Sequence, residues 1–128
     1  MTALEKAVLI VEDEHLIALG LSAQIQEMGL PVCATADTAE SAVAQARMHR
    51  PAIILMDVRL RGEKDGVDAA QAIYESVGSK IIFITGSREQ KTIDRISQDH
   101  AFATLFKPVS DVQLETKVHE AMLAADQA

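Results

Sequence analysis

The stretch Ala52-Ile-Ile-Leu-Met-Asp57-Val-Arg-Leu60 contains five apolar residues that run directly into an aspartate. An apolar run of this length, without polar alternation, predicts a β-strand that is buried on both faces, as in a parallel sheet. The carboxylate of Asp57 would then stand at the carboxyl end of a buried strand. Asp57 is therefore the first residue whose presence needs an explanation.

Four further apolar runs occur along the chain, at residues 7–11, 32–36, 81–84 and 101–106. Segments with helical periodicity lie between these runs and after the last one, so strands and helices alternate five times. This alternation predicts an α/β fold, a doubly wound parallel sheet with helices on both faces. In such sheets ligands bind beyond the carboxyl ends of the strands, where the chain reverses direction.

Several features of the helical segments can be predicted individually. Asp37 followed by Glu40, and Ser110 followed by Gln113, have the spacing of capping boxes at helix starts. The segment 89–98 offers few apolar residues and is expected to be the least firmly packed helix. The apolar face predicted for the first helix consists of Ile17, Leu21, Ile25 and Met28.

Length and charge limit what the chain can be. Its 128 residues contain no Pro-rich or Gly/Ser-rich linker, so a single domain spanning 1–128, without an output domain, is predicted. The net charge of −7 argues against attraction to nucleic acid or to an anionic membrane, and it suits a protein that binds cations. No apolar run approaches the roughly 20 residues that cross a bilayer, and the single cysteine, Cys33, has no disulfide partner, so a cytoplasmic location is predicted.

Polar groups follow four of the predicted strands. Glu12-Asp13-Glu14 follows the first run, Asp57 the third, Thr85-Gly86-Ser87 the fourth and Lys107-Pro108 the fifth. Carboxylates crowded at one edge repel one another unless a cation lies between them, and oxygen ligands favour a hard ion such as Mg²⁺. A metal, an ammonium and a hydroxyl around one carboxylate are what phosphoryl transfer requires. Asp57 could then act as the nucleophile and become an aspartyl phosphate.

Four short motifs carry a resemblance to a known family. The segments V11-E-D-E14, L55-M-D57, F83-I-T-G86 and F106-K-P108, in this order and spacing, resemble the signature of the receiver domains of two-component response regulators. The resemblance covers essentially the whole chain. It implies a flavodoxin-like (βα)5 fold with strand order 2-1-3-4-5 and a cis peptide bond between Lys107 and Pro108.

The resemblance also implies a magnesium site. Asp57 matches the phosphoacceptor, Asp13 a direct Mg²⁺ ligand, and Glu12 an acidic neighbour that acts through water. The backbone carbonyl of Arg59 would be the third protein ligand.

The remaining site residues surround the phosphoryl group in the family pattern. Thr85 matches the hydroxyl that contacts this group, and Lys107 matches the ammonium that pairs with Asp57 or its phosphate. The side chains of Arg59 and Ser87, which border the path of the hydrolytic water, are expected to set the lifetime of the phosphate.

The sequence departs from the family pattern at Thr104, where many members carry the aromatic residue that rotates on activation. On a strand, Thr104 would share a face with Phe102 and Phe106, which are two residues away on either side. We expect Thr104 to be a passive spacer, and the response to phosphorylation to arise in the loop after Thr85 and in the helix around 89–98. Glu12, where aspartate is commoner, and Arg61, where proline is frequent, are further departures.

Together with these observations, the resemblance to receiver domains implies a phosphorylation-controlled signalling switch whose surface of helix 4, strand 5 and helix 5 regulates a partner. A sensor histidine kinase or a histidine phosphotransfer protein would donate the phosphoryl group, and an unidentified protein would receive the signal, with the chain a monomer or weak dimer. The only catalysis expected is of its own phosphorylation and dephosphorylation. Two alternatives remain: an interaction module that no longer uses phosphate, or an aspartyl-nucleophile phosphatase, whose D-x-D pattern differs from Asp57-Val-Arg59.

Overall fold

The computed structural model describes residues 3–86, 88–98 and 100–126. Strands and helices alternate along these residues. They are β1 (Glu5–Val11), α1 (His15–Glu27), β2 (Val32–Ala36), α2 (Ala39–His49), β3 (Pro51–Asp57), α3 (Gly66–Ser76), β4 (Lys80–Thr85), α4 (Gln90–Gln98), β5 (Ala101–Phe106) and α5 (Asp111–Asp126).

The strands form one parallel sheet with the order β2-β1-β3-β4-β5, which confirms the predicted topology. Every residue of the central strand β3 is buried, as its uninterrupted apolar sequence predicted. The edge strands β2 and β5 are mostly half-buried. The chain reverses between β1 and β3, so the carboxyl ends of these two neighbouring strands border the crevice where ligands bind in such folds.

Helices cover both faces of the sheet, again as predicted. Side chains of α2, α3 and α4 form one apolar cluster with the sheet, and side chains of α1 and α5 form the other. Helix α4 contributes Ile96 as its one buried residue, while Ile93 is half-buried. The prediction that this helix is lightly packed is confirmed. In the part of the chain that the structure describes, no helix is long and apolar enough to cross a membrane.

One of the two predicted capping boxes is wrong. The N-cap of α2 is Thr38, whose hydroxyl accepts a hydrogen bond from the backbone N–H of Ser41 at 3.0 Å. Asp37 lies one residue earlier, and its carboxylate pairs instead with Arg61 of the long β3–α3 loop, at 3.6 Å. A carboxylate that pairs with a distant cation looks the same in sequence as one that caps a helix.

The capping box at α5 is confirmed. The Ser110 hydroxyl accepts from the backbone N–H of Gln113, and the Gln113 side chain accepts from the backbone N–H of Ser110, at 3.1 and 3.0 Å. The apolar face predicted for α1 is only partly correct, because Ala18 and Ile25 are its buried residues while Ile17 is 37% exposed.

The predicted neighbours of Thr104 also need correction. The β4–β5 register shifts between the pairs Ile81↔Ala101 and Ile82↔Ala103, which leaves Phe102 without a register partner. Phe102 packs with the cluster of α1 and α5, whereas Thr104 and Phe106 lie beside Phe83 and Thr85. A bulge of this kind breaks the two-residue alternation on which the prediction relied, so Thr104 shares a face with Phe106 but not with Phe102.

Gly66, the first residue of α3, is pressed against the phosphoacceptor candidate. Its backbone N–H donates to the carbonyl of Val58 at 2.7 Å, and a Cβ at this position would overlap the backbone carbonyl of Asp57. Glycine therefore allows α3 to begin directly against the end of β3. No motif in the sequence pointed to a role for Gly66.

Gly66→Ala is expected to lower the free energy of unfolding by about 2–3 kcal/mol, because the added methyl must displace backbone rather than a flexible side chain. Gly20→Ala in α1 is the matched control, since a Cβ there meets nothing within 4 Å. It should raise stability by about 0.5–1 kcal/mol. Urea unfolding followed by circular dichroism measures both, and a Gly66→Ala variant as stable as the parent would contradict the packing described.

Candidate functional site

Three carboxylates meet at the carboxyl edge of the sheet. Glu12 and Asp13 follow β1, Asp57 ends β3, and one oxygen from each lies within 4.8 Å of the others. The two strands are neighbours in a parallel sheet, so their carboxyl ends lie side by side although the residues are more than 40 positions apart in sequence. The predicted acidic cluster is therefore present.

Lys107 provides a positive charge for this cluster. Its ammonium lies 3.1 Å from Oδ2 of Asp57 and 3.8 Å from Oε2 of Glu12. Its backbone N–H donates to the carbonyl of Thr85 at 2.9 Å, which joins the ends of β4 and β5, and the Lys107–Pro108 peptide bond is cis as predicted. Burial alone would lower the pKa of the Lys107 ammonium, but the hydrogen bond and charge of Asp57 and the charge of Glu12 raise it overall.

The carboxyl group of Glu12 is buried without enough polar contacts to stabilise its negative charge. Its side chain is buried, and its Oε1 atom has no hydrogen-bond partner among the described residues. Burial, followed by the hydrogen bond with Asp57 and the charge of Asp57, raises the pKa of Glu12 from 4.5 to about 8. An unpartnered buried carboxylate oxygen beside two further carboxylates fits a hard divalent cation such as Mg²⁺, because such cations prefer oxygen ligands.

The other predicted site residues are placed as follows. Thr85 is buried at the end of β4 and, like Arg59, lines the cleft above the carboxylates; the backbone N–H of Arg59 donates to Oδ1 of Asp57 at 3.4 Å. Thr104 lies on β5 opposite Phe83 and is not among the residues that line the cleft. Ser87 lies outside the described residues.

The cleft has a volume of about 790 Å³ and includes residues that the sequence analysis missed. Asp65 and Arg95 are two of them, and others are Arg88, Glu89 and Thr92. The side chain of Asp65 accepts from the backbone N–H groups of Val67 and Asp68, and the Asp68 carboxylate accepts from the backbone N–H of Asp65, which makes a complete capping box for α3. The spacing Asp65-x-x-Asp68 before an apolar helical segment was the available signal.

We expect the affinity for Mg²⁺ to rise with pH between about 6 and 8 and then to level off. Below about pH 8 the Glu12 carboxyl of the metal-free protein keeps its proton. Because this proton must leave before the carboxylate can interact with Mg²⁺, metal binding releases protons, and higher pH favours metal binding. The affinity for Mg²⁺ should rise by at most about tenfold per pH unit. Titration calorimetry in two buffers of different ionisation enthalpy measures both the affinity and the released protons.

Glu12→Gln is the control, because it keeps the shape of the side chain without the titrating proton and should flatten the pH dependence. Asp13→Asn should weaken Mg²⁺ binding more than Glu12→Gln does. Equal losses would make Glu12 a direct ligand, and an affinity for Mg²⁺ that does not vary over this pH range in the parent protein would contradict the raised pKa.

Comparison with known proteins agrees with this geometry. The sequence profile described as the response regulator receiver domain matches residues 8–119. The transcriptional regulatory protein PdtaR of Mycobacterium tuberculosis is 33% identical over 108 residues, which are 84% of this chain and 52% of PdtaR. The phyllosphere-induced regulator PhyR of Methylorubrum extorquens is 34% identical over 105 residues, 80% of this chain and 39% of PhyR. The chain thus spans about half or less of the length of these relatives.

A similar solved structure is the signal receiver domain of a modulated diguanylate cyclase from Desulfovibrio desulfuricans, with a TM-score of 0.88 and 36% identity. The match covers 94% of this chain and 96% of that domain. The profile match over most of the chain, the 2-1-3-4-5 sheet and the acidic cluster at its carboxyl edge lead to one conclusion: the chain belongs to the family of response regulator receiver domains of two-component signalling.

Proposed function

We propose that this protein is a signalling switch controlled by phosphorylation of Asp57, with a histidine kinase or a histidine phosphotransfer protein as the donor. The observation that carries the proposal is the contact between Asp57 and Lys107, 3.1 Å apart, beside the carboxylates of Glu12 and Asp13. These groups come from the ends of β1, β3 and β5, and Thr85 joins them from the end of β4.

The chemistry follows from the positions of these groups. An oxygen of Asp57 attacks the phosphorus of a phosphohistidine, the new P–O bond forms as the P–N bond breaks, and the imidazole nitrogen keeps the electron pair. Lys107 already neutralises Asp57 and is placed to hold negative charge on the phosphoryl oxygens, and the Thr85 hydroxyl adds a donor. Bound Mg²⁺ would supply further neutralisation of these oxygens, with Asp13, Asp57 and the Arg59 carbonyl as direct ligands and Glu12 acting through water.

Two other functions predict different behaviour. A module that no longer uses phosphate would keep its partner surface but would not be labelled at Asp57, and Thr104 at the usual aromatic position is the observation that favours it. A phosphatase would turn over phosphate monoesters. The complete set of Asp13, Asp57, Thr85 and Lys107 around one cleft supports the switch instead.

Incubation with acetyl phosphate and Mg²⁺ should add the mass of one phosphoryl group to the parent protein and none to Asp57→Asn. Lys117→Ala is the matched control, because Lys117 pairs with Glu120 on α5, outside the cleft, and its loss should leave labelling unchanged. An acid-stable phosphate on Asp57→Asn would overturn the assignment. A parent protein that stays unlabelled, although it binds Mg²⁺, would favour the phosphate-independent module.

The donor surface can also be proposed. Helix α1 begins directly after the acidic cluster, and two of its apolar side chains are exposed, Leu16 at 81% and Leu19 at 53%. Exposed apolar side chains beside a reactive group mark a contact surface for a protein that must reach this group. We place the histidine donor on this part of α1.

Leu16→Glu should slow transfer from a phosphohistidine protein by about ten- to a hundredfold, since burial of a leucine contributes about 1.5–3 kcal/mol to an interface. Labelling by acetyl phosphate, which needs no protein contact, should stay at the parent rate. Met48→Glu on α2, which packs on the other face of the sheet, replaces a similarly exposed apolar residue and should change neither rate. Equal slowing with both donors would mean that Leu16 acts on the site rather than on docking.

A further inference from the structure

We propose that Asp65 and Arg95 are positioning residues that join the loop of the phosphoacceptor to α4, so that α4 responds to the state of Asp57 through their ion pair. The inference rests on the proposed phosphorylation of Asp57. It assigns a route for the signal that does not depend on a ring at position 104.

The ion pair between Arg95 and Asp65 is bidentate. Nη1 of Arg95 lies 2.7 Å from Oδ2 of Asp65, and Nη2 lies 3.2 Å from Oδ1 of the same carboxylate. A further contact of 3.4 Å joins Arg95 to Asp68. Such paired hydrogen bonds fix direction as well as distance, which a single charged contact does not. Helix α4 is therefore held at a defined position against the start of α3.

The other end of the link reaches the phosphoacceptor. Asp65 is the N-cap of α3 and orders its first turn, and the next residue, Gly66, lies in backbone contact with Asp57. The backbone N–H of Gly66 also donates to Val58, the residue after Asp57. A shift of the loop that follows Asp57 must therefore move the start of α3, and with it the Asp65 carboxylate that Arg95 binds.

The link matters for α4 because little else holds this helix. Ile96 is its one buried side chain, so the ion pair of Arg95 contributes a substantial share of the contacts that dock α4. Thr104 is too small to transmit motion as a buried ring would. Helix α4 is thus an element with a low free energy of displacement, which is what a responsive element requires.

Charge gives the direction of the effect. Asp57, Asp65 and Arg95 all line the same cleft, so a phosphoryl group on Asp57 adds negative charge near both members of the pair. This charge repels the Asp65 carboxylate and attracts the Arg95 guanidinium. Phosphorylation is therefore expected to loosen the pair and to shift α4 relative to α3.

The test uses beryllofluoride with Mg²⁺ as the phosphoryl probe and amide NMR shifts as the readout. In the parent protein, both the site residues 57–59 and 85–86 and the α4 residues 90–98 should shift. In Arg95→Gln and in Asp65→Asn the site shifts should remain while the α4 shifts largely disappear. Asparagine keeps an oxygen for the α3 cap, so Asp65→Asn removes the charge of the pair without removing the cap.

Two further measurements complete the design. Arg47→Gln is the matched control, since Arg47 joins α2 to α3 through Ser76 at 3.4 Å and should leave the α4 response intact. By linkage, breaking the pair should also change the beryllofluoride affinity, by about two- to fivefold, while α4 stays folded in the amide spectrum. Arg95→Lys keeps the charge without the paired contacts of the guanidinium, so it should restore part of the α4 response.

The outcomes separate this inference from the proposed function. If the parent protein shows no shifts at residues 57–59, phosphorylation of Asp57 fails as a function and the inference fails with it. If the site shifts occur but α4 is silent in the parent, or if α4 still responds fully in Arg95→Gln, the ion pair is not the link and the inference alone is overturned.

Discussion

The crowding of negative charge at one edge of the sheet is the constraint on which the rest of the site depends. Glu12, Asp13 and Asp57 lie within a few ångströms of one another, and Lys107 is the cation that contacts two of them. Burial of the Glu12 carboxyl, together with the hydrogen bond and charge of Asp57 beside it, raises the pKa of Glu12 despite the ammonium of Lys107. A divalent cation or a transferred group changes this balance, which makes the edge sensitive to occupancy.

The buried strand β3 holds Asp57 in place beside the other charged groups. Because β3 is packed on both faces, Asp57 cannot relax away from its neighbours, and the backbone contact with Gly66 holds the start of α3 against the same residue. Changes at Asp57 are therefore passed to the loop and to α3 rather than absorbed by the strand.

The elements around the cleft differ in how they are packed. The strands and most of the helices pack through buried apolar clusters, whereas α4 is held by one buried isoleucine and by the polar contacts of Arg95. Polar contacts respond to added charge, and apolar packing does not. If Asp57 is phosphorylated, this contrast would give a receiver domain with Thr104 in place of a ring a route from the site to its surface.

The sequence alone determined the alternation of strands and helices, the helices on both faces and the candidates Asp13, Asp57, Thr85 and Lys107, because buried strands carry uninterrupted apolar runs and strand ends meet at one edge. The order of the strands came from the resemblance of four short motifs to receiver domains. Short-range patterns are what a sequence reports reliably.

Tertiary structure decided what depends on partners far apart in sequence. The pairing of Asp37 with Arg61 displaced a predicted cap, and the bulge in β5 moved Phe102 to the opposite face from Thr104. The grip of Arg95 on Asp65 joins residues 30 positions apart. Periodicity and spacing cannot reveal these contacts, since each is fixed by where the whole chain brings two side chains together, and the same residues in a different packing would cap, solvate or pair elsewhere.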